Sequence, residues 1–84
     1  MQSSTKAQSG IEIGALYRRG VGGSMSEIAE VVSLGKDRLG IPHVRFKTHL
    51  MRGNYETTST PEQRTLALES FCARYKERVQ PTAP

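Results

Sequence analysis

Eighty-four residues with no tryptophan, five aromatics and a 36% hydrophobic fraction make one small domain with a thin core. Twelve basic residues against eight acidic give a net charge of +4, which favours acidic partners without singling out nucleic acid. The single cysteine, Cys72, excludes an internal disulfide and fits a reducing cytosol, and no apolar run approaches the roughly 20 residues of a membrane helix.

The chain opens on MQSSTKAQSG, which lacks the apolar stretch of a signal peptide and reads as a disordered tail over residues 1–10. QPTAP at 80–84 reads as a second loose end, leaving 11–79 as the single folded unit. Ile11, Ile13, Ala15 and Tyr17 alternate, so Ile11–Arg18 is predicted to be the first strand. Gly20-Val21-Gly22-Gly23 then interrupts it as a flexible hairpin loop. The loop lacks the lysine and spacing of a nucleotide-binding GxxxxGK[ST] sequence.

Met25–Leu34 admits two readings. Ser24-Met25-Ser26-Glu27 spells a capping box, and Met25, Ile28, Ala29 and Val32 have helical spacing. As a strand, Ile28, Glu30, Val32 and Leu34 share one face, with Ala29 and Val31 on the other. The adjacent valines and nearby glycines favour the strand. Lys36–Gly40 is a turn, and Ile41–Met51 is the next strand, paired antiparallel with residues 28–34. Gly53-Asn54 ends it, and Tyr55–Ser59 is either a short edge strand or a loop.

Beyond that point the readings diverge. Thr60-Pro61-Glu62-Gln63 suits a helix start, yet Arg64–Leu68 also alternates as a strand that a helix over Glu69–Arg78 would follow. Both readings make Phe71–Val79 helical, with Leu68, Phe71, Cys72, Tyr75 and Val79 in one stripe. The expected core is Ile13, Tyr17, Ile28, Val32, Val44, Phe46, Leu66, Leu68, Phe71 and Tyr75.

Gly14-Ala15-Leu16-Tyr17, then Asp37–Phe46, then Arg64–Phe71, in this order of strand, hairpin, strand and terminal helix, resemble a small Src-homology-3-like barrel. Small bacterial domains of uncharacterised function share that barrel. The resemblance spans about Ile11–Tyr75, implies a mostly β antiparallel barrel closed by a C-terminal helix, and names no catalytic residue. Such barrels bind peptides, nucleic acids or proteins, so the fold leaves function open.

The segment most suggestive of function is His43-Val44-Arg45-Phe46-Lys47-Thr48-His49. Its alternation sets Val44 and Phe46 on a core side and His43, Arg45, Lys47 and His49 on a cationic side. Arg45 and Lys47 suit phosphates, and histidine adds charge as pH falls below roughly 6.5. Arg52, Arg18 and Arg19 would extend the patch if the loops lie close. The same pattern also describes the solvated face of a half-buried sheet, with Lys guarding an edge.

Other chemistries find less support. His43 and His49 would lie roughly 20 Å apart on a strand, too far for one metal ion. Cys72 sits on the apolar stripe, where cysteine acts as a small hydrophobe. Ser26–Val32 resembles the opening of a helix-turn-helix, but Pro42 and period-two alternation oppose a recognition helix after it. The expectation is a cytoplasmic, non-enzymatic binding module without cofactor or metal, monomeric by default. It would meet sequence-independent nucleic acid or another polyanion, or an acidic protein. A protein-interaction domain using the Tyr55–Ser59 edge or the hairpin tip at Leu39 is the alternative.

Overall fold

Period-two alternation carries most of the chain into antiparallel β-structure. The computed structural model describes residues 10–57 and 60–79, so the expectations for both tails, and for Ser59, lie outside the described residues. Six strands and one helix follow in order: β1 (Leu16–Gly22), β2 (Met25–Lys36), β3 (Pro42–Arg52), β4 (Tyr55–Glu56), β5 (Glu62–Ala67), α1 (Leu68–Arg74) and β6 (Glu77–Val79).

β1 and β2 form a hairpin around Gly22 and Gly23, whose φ values of 116° and 57° favour residues without a Cβ. The glycine loop of the sequence reading is thus mostly the end of β1. β2 is a strand, and it pairs with β3 over its whole length, from Met25↔Arg52 to Lys36↔Pro42. Their turn is fastened by Asp37, whose Oδ1 accepts from the N–H groups of Leu39 at 2.8 Å and Ile41 at 2.9 Å. Gly40, at φ 82°, completes it.

The far edge of β3 is shared. β5 pairs with it from His43↔Ala67 to Thr48↔Glu62, and the two-residue β4 pairs beyond. This settles 62–67 as strand. The helix that follows ends at Arg74, which corrects the expected helix through Val79. Glu77–Val79 is instead β6, paired with β1 from Leu16↔Val79 to Arg18↔Glu77. The edge of β1 carries unpaired N–H and C=O groups, and pairing three residues with it satisfies groups that a longer helix would leave open.

The sheet is therefore mostly β and antiparallel, in the order β4-β3-β2-β1-β6 with β5 also on β3. It is open: no pairing among the described residues joins β5 to β6. α1 crosses between those two edges.

The core lies between α1 and the inner sheet face. Ile11, Tyr17, Ala29, Val31, Val44, Phe46, Phe71 and Tyr75 are buried, with Leu66, Leu68 and Cys72 packed against them. Three expected core residues lie elsewhere. Ile13 is 64% exposed, because residues 11–15 form a turn rather than the start of a strand. Gly14 N–H donates to Val31 O at 2.8 Å, and Tyr17 Oη donates to Gly10 O at 3.0 Å, holding that turn on the sheet. Ile28 faces outward, and Val32 is 37% exposed at a bulge between Val31 and Ser33. The inner face of β2 is Glu27, Ala29 and Val31.

α1 spans seven residues and has no side-chain N-cap, so its own hydrogen bonds cannot sustain it. Packing does. Phe71 lies with ring centroids 5.6 Å from Tyr17, 5.0 Å from Phe46 and 4.9 Å from Tyr75. Phe71→Ala is expected to cost about 3–5 kcal/mol. Urea denaturation should register that as a much lower midpoint, and a loss under 1 kcal/mol would mean the helix is not the lid of the core.

Candidate polyanion-binding face

Because Val44, Phe46 and Thr48 are buried, strand alternation turns His43, Arg45, Lys47 and His49 to the outer face. Alternate residues on that face are about 7 Å apart. Arg45 and Lys47 are exposed and have no side-chain hydrogen bond or ion pair among the described residues. Register sets Lys47 beside Glu30, but that carboxylate lies 3.6 Å from His49 Nε2 instead.

The histidines have different surroundings. His43 Nδ1 lies 2.9 Å from the carbonyl oxygen of Ile41, so Nδ1 carries a proton and donates. Nε2 is left for an outside partner. The Asp37 carboxylate is 3.8 Å from the same ring. His49 sits between two carboxylates, with Nδ1 2.6 Å from Glu56 and Nε2 facing Glu30. That end of the row is acid-flanked.

Of the three arginines expected to extend the patch, none adds a free cation to the row. Arg19 points inward, and its Nε donates to Glu27 at 2.7 Å. Glu27 is only 6% exposed and also accepts from Tyr75 Oη at 3.0 Å. The Arg19 guanidinium lies 5.8 Å from the Tyr75 ring centroid. A carboxylate on the core side requires such partners, and it takes Arg19 from the surface. Arg18 does lie on the outer face, in the row Arg18↔Ile28↔His49, but its guanidinium is forked onto Glu77. That pairing holds the Glu77 carboxyl below its usual range through the Arg18 hydrogen bond and charge. Arg52 is exposed, but alternation sets it on the side opposite His49.

Two residues not singled out from sequence, Ser33 and Thr65, do join Arg45. Ser33, Arg45 and Thr65 form one cross-strand row, and with Lys36, Asp37 and His43 they line a cleft of about 320 Å³. No pattern along the chain marks them, since their alignment depends on the bulge at Val32 and on β5 being a strand. A second outer cleft, of about 550 Å³, has Leu16, Ile28, Met51 and Val79 as its apolar floor and Glu30 and Glu56 among its walls.

Burial pushes the Cys72 thiol up, away from the thiolate a nucleophile needs. Among the described residues no group of three or more His, Cys, Asp or Glu is placed to hold a metal ion. No helix among them is long and apolar enough to cross a membrane. No protein-family model, curated protein or solved structure matches the chain.

The Asp37 carboxyl is held below its usual range, first by the Ile41 N–H, with the Leu39 N–H and His43 adding to the effect. A depressed folded pKa means its contribution to stability is present above the unfolded value of about 3.9 and fades as pH falls through the folded value. Asp37→Asn should therefore melt below the wild type at pH 6, and the gap should shrink as the pH falls below the unfolded value and through the lower folded one. A gap constant with pH would show that the charge of Asp37 does not support the turn.

Proposed function

We propose that this domain is a non-enzymatic binding module of the small-barrel type that holds nucleic acid, or a similar polyanion, on the outer face of β3. The observation that carries the reading is the pair Arg45 and Lys47, neighbours on one strand face, exposed, without a side-chain partner among the described residues, on a strand paired on both sides. The strand fixes the backbone beneath the two cations, so binding orders their side chains but not the chain that carries them, as it would for cations on loops. The passage of the chain from β5 over α1 to β6 on the opposite edge supports the barrel comparison. Phosphate contacts of this kind are sequence-independent and release counterions, so affinity falls steeply with salt.

A second reading rests on the hairpin tip, where Leu39 is 81% exposed beside exposed Ile41 and Leu34. An apolar tip suits a protein partner. The alternative edge at β4 offers only two described residues of strand, little for a partner strand to extend.

Fluorescence anisotropy with labelled single- and double-stranded oligonucleotides separates the two. Arg45→Ala and Lys47→Ala should each weaken binding and lower the slope of log K against log salt by about 0.7–0.9, with an unchanged amide spectrum. Leu39→Asp should leave oligonucleotide binding intact. Binding unaffected by both charge removals would sink the β3 site.

A further inference from the structure

The basic face has one end shaped differently from the rest. Ser33 on β2, Arg45 on β3 and Thr65 on β5 lie side by side in register, so a hydroxyl flanks the guanidinium on each neighbouring strand. Strands are spaced about 4.8 Å apart, so each hydroxyl stands one spacing from Arg45 and about two from the other, and an anion held by the long Arg45 side chain can meet the hydroxyl on either side. Lys36 stands at the mouth of the turn, and His43, whose Nδ1 proton is given to Ile41, offers a donor at Nε2 only when the ring is protonated. Ser33, Lys36, Arg45 and Thr65 have no side-chain hydrogen bond or ion pair among the described residues.

We propose that this cleft is a subsite for a single phosphate group, the anchoring phosphate of the polyanion. The inference rests on the polyanion reading above and adds where along β3 the first contact is made. Guanidinium and hydroxyl donors match the tetrahedral oxygens of phosphate, and Arg adds the fork geometry that Lys lacks. At about 320 Å³ the cleft lies at the small end of ligand sites and has Leu34 as its one large apolar wall. It suits a phosphate with its attached sugar better than an apolar ligand.

The carboxylate on its rim, Asp37, has Oδ1 occupied by two backbone N–H groups of the turn and Oδ2 3.8 Å from His43 Nδ1, and it sets one negative charge against the two cations Lys36 and Arg45 of the same cleft. The larger outer cleft is the wrong place for an anion. Glu30 and Glu56 line it around His49, and its Arg18 is neutralised by Glu77. The two clefts thus divide the outer face into a phosphate-accepting end and a phosphate-repelling end.

The test is a heteronuclear NMR titration of the whole chain with inorganic phosphate, run beside the oligonucleotide anisotropy. Saturable shifts at Ser33, Lys36, His43, Arg45 and Thr65 are expected. The Ser33→Ala/Thr65→Ala pair should weaken phosphate binding about five- to tenfold without altering the dispersion of the spectrum. Lys47→Ala should change phosphate affinity by less than about twofold while weakening the oligonucleotide, since it stands outside the cleft. Oligonucleotide binding with phosphate shifts absent, or spread evenly over every cationic residue, overturns the subsite and leaves the polyanion reading standing. Phosphate binding in the cleft without oligonucleotide binding keeps the subsite and removes the polyanion. Silence in both assays removes both.

Discussion

The fold hangs on Phe71. The chain has five aromatic rings, and four of them, Tyr17, Phe46, Phe71 and Tyr75, make one cluster with Phe71 touching the other three. Two of the rings come from α1 and its C-cap, one from β1 and one from β3. The cluster fixes a seven-residue helix that could not persist alone, and with it the chain that leaves β3's edge as β5 and returns to β1's edge as β6. In a chain this short the inner face is given over mainly to packing, and the cationic row of β3 stands on the other side of the sheet.

A polar network closes the rim of that core. Arg19 and Glu27 are direct cross-strand partners, and Tyr75 reaches the same carboxylate from beyond the helix. Burial, then the Glu27 charge, pushes the Tyr75 hydroxyl up, so it remains a hydrogen-bond donor. The network adds direction more than energy, because a buried ion pair roughly balances its own desolvation. Its bonds form in the observed register of β1 and β2, with Arg19 facing Glu27 and Tyr75 inside. Slipping β2 by one residue would bury Ile28 and Glu30 and leave Glu30 without these partners.

This network also explains what was legible in the chain and what was not. β2, the Asp37 turn, β3 and its two faces follow from local alternation and turn chemistry, and they appear as expected. Which face of β2 is buried does not follow. Ile28, Val32 and Leu34 outweigh Ala29 and Val31 in bulk, and Glu27 lies on the lighter face, so a count of apolar residues selects the wrong side. The true choice depends on Arg19 and Tyr75, which are distant or loop-like in sequence, and on a bulge that shifts Val32 outward. The same blindness put Arg19 among the surface cations. β6 was hidden because Tyr75 and Val79 also fit a helical stripe, and only the edge of β1 decides between them.

The candidate site was half legible for a related reason. A strand displays its own faces in sequence, so His43, Arg45, Lys47 and His49 were visible as one row, but their neighbours across the sheet were not. Those neighbours set each residue's electrostatics. Arg45 falls between two hydroxyls, Lys47 beside an amide and a diverted carboxylate, and His49 between two carboxylates. The row of two cations flanked by two histidines therefore has a polarity, from donor-rich at Arg45 to acid-screened at His49. At physiological salt, charges interact over only about 8 Å, close to the spacing of these residues, so each end is felt separately. A polyanion bound as proposed would have its contacts concentrated between the β2–β3 turn and Lys47, and would be turned off the sheet before it reached Glu30 and Glu56. The net charge of the chain does not convey that polarity, which comes from pairing Arg18, Arg19 and His49 with carboxylates while Arg45 and Lys47 have no such partner among the described residues.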